Sequence, residues 1–302
     1  MYDVLVVGGG AAGLSAALLL GRCRHRVLVC AAGAPRNAAA PALHGLLGHE
    51  GTPPLDLLAK GREELRRYET VTVRETRIEA IEPTTEGFAF SCSDETSGTC
   101  RRVLLATGLT DELPDIPGLA DCYGLTVHHC VYCDGFEHAD QPIVAFGNGD
   151  KGLGLAAMLR HWSADVVLAT NGSVPADDAA TLQRTKDVGI SWRPQRISRL
   201  DADDGRIRQI CFEDGEKVDC LAMFFCTGSH QTSDLAERLG CRRDDRGSIV
   251  VDPVTEETSV PGVYVAGDAS RETLLLSVAI GEGARAAVAI NRALLKEAGL
   301  LL

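Results

Sequence analysis

Apolar positions near the start of the chain fall into three blocks. Val4–Val7 is a short β-branched run, the Ala/Leu-rich stretch from Ala11 to about Gly21 has helical length, and Arg26–Cys30 is a second short run. Together they predict a strand–helix–strand unit. A loop rich in Ala, Pro and Gly follows from Ala31 to about Pro54, and Leu55–Tyr68 then predicts a helix with Leu55, Leu58 and Leu65 on one side. Residues 71–106 read as strands, the last running through Val103-Leu104-Leu105 into Ala106-Thr107-Gly108. After a Pro- and Gly-rich link, Pro114 to Gly118, the pattern restarts. It gives strand Ile143–Phe146, a glycine loop, a helix to Trp162 and strand Asp165–Ala169. Further strands end near Met223–Cys226, Val263–Ala266 is another, and a long helix begins at about Leu274.

Composition narrows the possibilities. The 302 residues are 45% hydrophobic and 24% charged, enough to build sizeable cores in two domains and too apolar for a disordered chain. Thirty basic against 42 acidic side chains leave a net charge of −12, a field that repels nucleic acid. Apolar runs such as Leu14–Leu20 are too short to span a bilayer. The chain opens directly on a strand, Asp3–Val7, with no basic leader, so the expectation is a cytoplasmic protein with no membrane partner. Eleven cysteines in such a chain read as reduced thiols with one working pair. Cys23, Cys30, Cys92, Cys100, Cys122, Cys211, Cys220, Cys226 and Cys241 are scattered and are expected to pack as small hydrophobes. Only Cys130 and Cys133 have C-x-x-C spacing.

The glycine pattern Gly8-x-Gly10-x-x-Gly13, with Ala11 and Ala12 inside it, lies between a predicted strand and a predicted helix. In that context the glycines permit a tight turn, close approach to a pyrophosphate and close helix packing. Gly147-x-Gly149-x-x-Gly152 repeats the arrangement. The expected fold is therefore α/β, with two Rossmann-like three-layer domains, the second inserted in the first. Residues 1–116 and 245–302 would form one domain and 117–244 the other. No Asp or Glu occurs between Asp3 and Glu50, so no acidic side chain ends the second strand to hold a ribose hydroxyl. Backbone groups, or Arg36 and Asn37, are the candidates for that work.

Cys130-Val131-Tyr132-Cys133-Asp134 offers thiol–disulfide chemistry, in which one thiolate attacks, a second thiol resolves and an adjacent carboxylate manages the proton. A zinc site built with His128 and His129 is the structural alternative. It lacks the second ligand pair that zinc prefers, and no metal is expected. His128 and His129 stand open as substrate-pocket or structural residues.

Ala106-Thr107-Gly108 and the segment Ser259 to Gly267-Asp268 resemble the two further signatures of the flavin disulfide reductase superfamily. That resemblance implies FAD, with Asp268 at the ribityl chain. With Cys130–Glu137 placed ahead of the second glycine loop, the chain resembles the low-molecular-weight thioredoxin reductases over essentially its whole length. The family implies that Cys133 faces the flavin, Cys130 exchanges with the outside thiol, Asp134 shuttles protons, and the protein is a homodimer.

The family pattern breaks in places. NADPH-dependent members carry His-Arg-Arg after the strand that follows the second loop, whereas here no Lys or Arg appears from Gly172 until Arg184, and Asp177 and Asp178 intervene. Arg160 or His161 would have to substitute. Thr273-Leu274-Leu275-Leu276 stands where the family has Arg-Gln, and the loop Leu43–His49, with His44 and His49, also departs from the family wording. These departures resemble the FAD-dependent dithiol oxidases of antibiotic biosynthesis, which form disulfides in natural products of the gliotoxin, holomycin and romidepsin type. The implied activity oxidises a small-molecule dithiol to its disulfide, with molecular oxygen as acceptor and hydrogen peroxide as product. Several of those enzymes carry His where this chain has Asp134. The enzyme alternative is a reductase of thioredoxin or a low-molecular-weight disulfide, fed by NAD(P)H or a donor such as ferredoxin. The alternative from another class is a flavin-bearing redox sensor.

Overall fold

Continuous apolar runs become strands covered on both faces, as parallel sheets require. Val4–Val7, Val27–Cys30 and Val103–Leu105 are buried throughout. In the computed structural model, which describes residues 1–173, 183, 185–270 and 273–301, Tyr2–Val7 lies between Val27–Cys30 and Ser97–Leu105, parallel to both. Val71–Arg74 continues in parallel beyond Val27–Cys30, and Val263–Val265 pairs with the end of Ser97–Leu105. Gly87–Cys92 and Ile78–Thr84 extend the sheet in antiparallel fashion, completing seven strands. Helices Ala11–Arg22 and Leu276–Glu297 pack over one face through small residues. A Cβ on Gly283 would stand 2.1 Å from the Ala12 carbonyl oxygen, so only glycine permits that approach.

The second sheet is wholly parallel, in the order Ser191–Arg193, Val166–Ala169, Ile143–Phe146, Ala222–Phe225, Val127–His128. Helix Gly149–Leu159 buries Leu153, Leu155, Ala156 and Leu159 with Ile143, Ala145 and Phe224 of this sheet. A three-stranded antiparallel sheet, Ile197–Asp203, Arg206–Phe212 and Lys217–Asp219, completes the second core.

The two units comprise residues 1–36, 45–110 and 230–302 in one case, and 37–44 and 111–229 in the other. The chain changes unit earlier than the 116/117 and 244/245 boundaries read from the sequence. Core membership explains both differences. Ile116 packs with Leu119 and Phe146 of the second core, whereas Leu235, Leu239 and Cys241 pack with Leu5 and Val103 of the first. Helix Pro54–Leu65 buries Leu58 and Leu65 but leaves Leu55 53% exposed, for a reason given below. Among the scattered cysteines, Cys23 is exposed and Cys226 only half-buried, while the others are buried as expected. Burial pushes the thiols of Cys30, Cys100 and Cys220 up to about 12, so they stay protonated and serve as packing groups. No described helix is long and apolar enough to cross a membrane.

Candidate active site and cofactor cradle

In the first unit the chain leaves the Tyr2–Val7 strand through Gly8, whose φ is +117° and whose Cβ would lie 2.2 Å from the Ala106 carbonyl oxygen. A Cβ on Gly13 would lie 2.0 Å from the Gly8 carbonyl oxygen. Neither position admits a side chain. Gly10 faces open space and caps the helix Ala11–Arg22 without any side-chain hydrogen bond, so the N–H groups of its first turn are left for an anion. Ala11 and Ala12 form that turn, and Ala106, followed by Thr107 and Gly108, closes the other side.

A cleft of about 640 Å³ opens at the ends of Val27–Cys30 and Val71–Arg74, lined by Ala31, Gly33, Pro35, Leu55, Leu58, Arg62, Glu75 and Ser93 among others. This is why Leu55 stays partly exposed. The cleft also supplies the carboxylate that the second strand lacks. The parallel register pairs Cys30 with Arg74, which carries Glu75 to the level of Ala31. Glu75 pairs there with Arg62 at 3.4 Å.

Arg36 does not line the cleft. Its guanidinium donates to Asp268 Oδ2 at 3.0 Å, both side chains being mostly buried. Arg36 thereby holds the acid that the resemblance puts at the ribityl chain. Asn37 groups with the other unit, where its carbonyl accepts from the Ala40 N–H at 3.1 Å. The Gly267–Asp268 turn is held by Glu282, a buried acid on the C-terminal helix that accepts the Gly267 N–H at 2.8 Å. An acid on the apolar face of that helix was the overlooked sequence signal. A side-chain-free anion cradle, a cleft with both apolar and polar walls and a fixed acid fit the three parts of a flavin nucleotide.

The second glycine loop has the same frame. A Cβ on Gly152 would lie 2.4 Å from the Gly147 carbonyl oxygen, one on Gly147 would lie 2.3 Å from Cys226 Sγ, and Gly149 faces open space. Its candidate substitute cation is engaged elsewhere. Arg160 donates to the carbonyls of Val188 at 2.9 Å, Ser163 at 3.2 Å and Ala164. His161 stands edge-on to Trp162, with ring centroids 5.3 Å apart. The Thr170 hydroxyl folds back onto the Ser173 carbonyl, and Asn171 Oδ1 accepts the Ile197 N–H at 3.0 Å. Asp177, Asp178 and Arg184 lie outside the described residues. Arg196 approaches the turn that follows Val166–Ala169, where its Nε would be 3.7 Å from a Cβ on Gly172. Leu274, Leu275 and Leu276 are half-buried at the start of the C-terminal helix.

Cys130 and Cys133 form a disulfide, Cα atoms 5.3 Å apart and both residues half-buried, at the start of the turn Val131–Asp134. The Cys133 N–H donates to Cys130 Sγ at 3.1 Å, which favours negative charge on that sulfur when the bond opens. Tyr132 and Phe136 stand 70% and 79% exposed within the motif, giving it an apolar outer rim.

The adjacent histidines diverge. His128 ends the edge strand Val127–His128 opposite Phe224, which buries its ring. Its Nδ1 is 3.4 Å from Asp134 Oδ1, and its Nε2 is 3.1 Å from His138 Nε2. His138 Nδ1 lies 3.2 Å from Gln141 Oε1. Burial lowers the His138 pKa, opposed by Gln141, assisted by His128, and opposed again by Asp134 and Glu137. His129 turns the other way. Its Nδ1 lies 3.5 Å from Asp111 Oδ2, and the Tyr123 hydroxyl donates to that same carboxylate at 2.6 Å. His44 reaches Glu137 Oε1 at 3.5 Å, while the His49 N–H only closes a turn onto the Leu46 carbonyl at 2.9 Å. His138, Gln141, Tyr123 and Asp111 were not singled out in the sequence. For His138, its four-residue spacing from Asp134 was the available signal.

A nucleotide cradle and a half-buried disulfide with an adjoining acid define a flavin disulfide oxidoreductase, an enzyme of the thioredoxin reductase-like class. Residues 2–283 match the pyridine nucleotide-disulphide oxidoreductase family, and the chain belongs to that family. It is 33% identical to thioredoxin reductase tcpT of Claviceps purpurea, across 89% of this chain and 86% of that one. It also resembles the crystal structure of HlmI, with a TM-score of 0.92 and 33% identity over 99% of this chain and 94% of the other. An oxidoreductase from Agrobacterium tumefaciens superposes with a TM-score of 0.90 at 32% identity, covering 98% and 99%.

Proposed function

We propose that the protein is an FAD-dependent dithiol oxidase that closes the disulfide of a small molecule with oxygen as the final acceptor. The observation that carries this reading is the second glycine loop, which keeps its frame while Arg160, Thr170 and Asn171 are committed to backbone partners. An apolar rim at Tyr132 and Phe136 suits a small apolar dithiol. One substrate thiol gives its proton to Asp134, and its thiolate attacks Cys130 Sγ. The Cys130–Cys133 bond breaks with its electron pair on Cys133. The second substrate thiol gives its proton to solvent and attacks the substrate sulfur of the mixed disulfide, closing the product and releasing Cys130, which takes back the proton held at Asp134. Gly8–Gly13, Thr107, Gly108 and Asp268 would hold FAD, which when bound would supply the two-electron acceptor for the reduced Cys130–Cys133 pair and the outlet from it to oxygen. The sum is dithiol plus oxygen giving disulfide plus hydrogen peroxide.

The test is flavin absorbance under anaerobic conditions after mixing with NADPH, NADH or dithiothreitol. The expected result is bleaching by the dithiol alone, with colour and peroxide returning on admission of air. Bleaching by a nicotinamide at low concentration would overturn the reading in favour of a reductase. Arg196 beside Gly172 is the observation that favours this second reading.

A further inference from the structure

Three contacts run in one line from the acid beside the disulfide: Asp134 Oδ1 to His128 Nδ1 at 3.4 Å, His128 Nε2 to His138 Nε2 at 3.1 Å, and His138 Nδ1 to Gln141 Oε1 at 3.2 Å. The far end decides what the near end can be. A carboxamide oxygen only accepts, so His138 carries its proton on Nδ1. Burial beside Phe224 keeps His138 neutral, with His128 adding to that effect and Gln141, Asp134 and Glu137 opposing it. A neutral ring protonated at Nδ1 accepts at Nε2, and His128 Nε2 must therefore donate. In a neutral His128 the remaining nitrogen, Nδ1, is then bare and faces a carboxylate. Two acceptors at 3.4 Å are satisfied only by one additional proton, placed on His128 or on Asp134.

We propose that Gln141 and His138 fix the tautomer of His128, so that Asp134 and His128 together hold a single shared proton beside the Cys130–Cys133 disulfide. When empty, the pair accepts the proton of the entering thiol, and it returns that proton to the sulfur of Cys130 as the product leaves. The electron pair of the broken sulfur–sulfur bond goes to Cys133, so electrons and protons part company at this step. His138 and Gln141 are positioning residues: they set which nitrogen of His128 is bare.

Long-range proton–nitrogen NMR spectra of the oxidised holoenzyme, labelled with nitrogen-15 in histidine, read the tautomers directly. His138 is expected to be protonated at Nδ1 alone. His128 is expected to be protonated at Nε2, gaining a proton at Nδ1 only as the pair fills. His138 protonated at Nε2, or a neutral His128 protonated only at Nδ1, would overturn the proposal. The kinetic readout is the pH profile of anaerobic flavin reduction by dithiothreitol. Gln141→Leu and His138→Phe let His128 turn its proton toward Asp134, relieving the empty pair. The limb belonging to the pair then moves to lower pH by about one unit, the worth of about one hydrogen bond. Gln141→Glu keeps an acceptor opposite His138 Nδ1, and its limb does not move down. An unmoved limb in Gln141→Leu at wild-type flavin content also overturns the proposal. Should His138→Phe not fold, Gln141→Leu and the spectra decide. This kinetic arm rests on disulfide chemistry at Cys130–Cys133. If dithiothreitol reduces no flavin in the wild type, that chemistry fails, while the tautomer assignment still stands or falls on the spectra.

Discussion

The chain builds the same nucleotide-binding frame twice and uses the two copies differently. In both, the first and third glycines press together, a Cβ on Gly13 or Gly152 falling 2.0 or 2.4 Å from the carbonyl oxygen of Gly8 or Gly147. In both, the middle glycine faces open space. The difference lies at the end of the following strand. After Val27–Cys30 there is a cleft with Glu75 and Arg62 in its wall, and the nearby Arg36 pairs with Asp268. After Val166–Ala169, Thr170 and Asn171 close on backbone groups of their own unit. A duplicated frame therefore need not have duplicated surroundings: among the described residues, the side chains at the ends of the two strands take different partners. Close glycine contacts are enforced by backbone sterics, whereas a ligand is selected by a few side chains that are free to take other partners.

The largest effects should separate the two units. Cys133→Ser is expected to leave flavin bound but to lower its reduction by dithiothreitol on the order of 1,000-fold or more, measured by stopped-flow absorbance. Gly13→Ala is expected to do the opposite, with the purified protein losing about nine-tenths of its flavin as the added Cβ meets the Gly8 carbonyl. Flavin retained by Gly13→Ala would mean that the first frame is not the flavin cradle. Asp268→Asn strips the charge from the bond to Arg36 and should weaken flavin binding about tenfold, or ~1.4 kcal/mol, by equilibrium titration of the apoprotein.

Smaller effects sharpen the contrast. Arg160→Ala removes a guanidinium that ties three carbonyls together and should cost about 1–2 kcal/mol of stability in thermal unfolding, with NADPH affinity unchanged. A loss of NADPH affinity at constant Tm would break the comparison, because Arg160 would then be reading nucleotide. Glu75→Gln is the mildest change. Its exposed pair with Arg62 predicts only about a twofold loss of flavin affinity by the same titration.

Much of this molecule was legible along the chain because its signals are local. Strand, glycine loop and helix follow directly on one another along Tyr2–Arg22 and again along Ile143–Leu159, so spacing announced both frames, and Cys130, Cys133 and Asp134 share a single turn. Buried apolar runs gave nearly the right strand limits. The unit boundaries did not follow, because Leu235 and Leu239 join a core laid down by residues more than a hundred positions earlier. The bond of Arg36 was not legible for the same kind of reason. Its partner Asp268 is 232 residues away, and no local pattern links them.

What the sequence determined by itself was the class of chemistry: two nucleotide frames, a dithiol pair and an acid beside it, each encoded in contiguous residues whose backbone geometry tolerates few alternatives. Tertiary structure alone decided which side chains serve those parts. Strand register carries Glu75 to the level of Ala31, an edge strand buries His128 against Phe224, and the following turn swings His138 and Gln141 into line behind it. Hydrogen bonds act over about 3 Å, and residues from different elements come within that distance only after sheet order and register have been chosen.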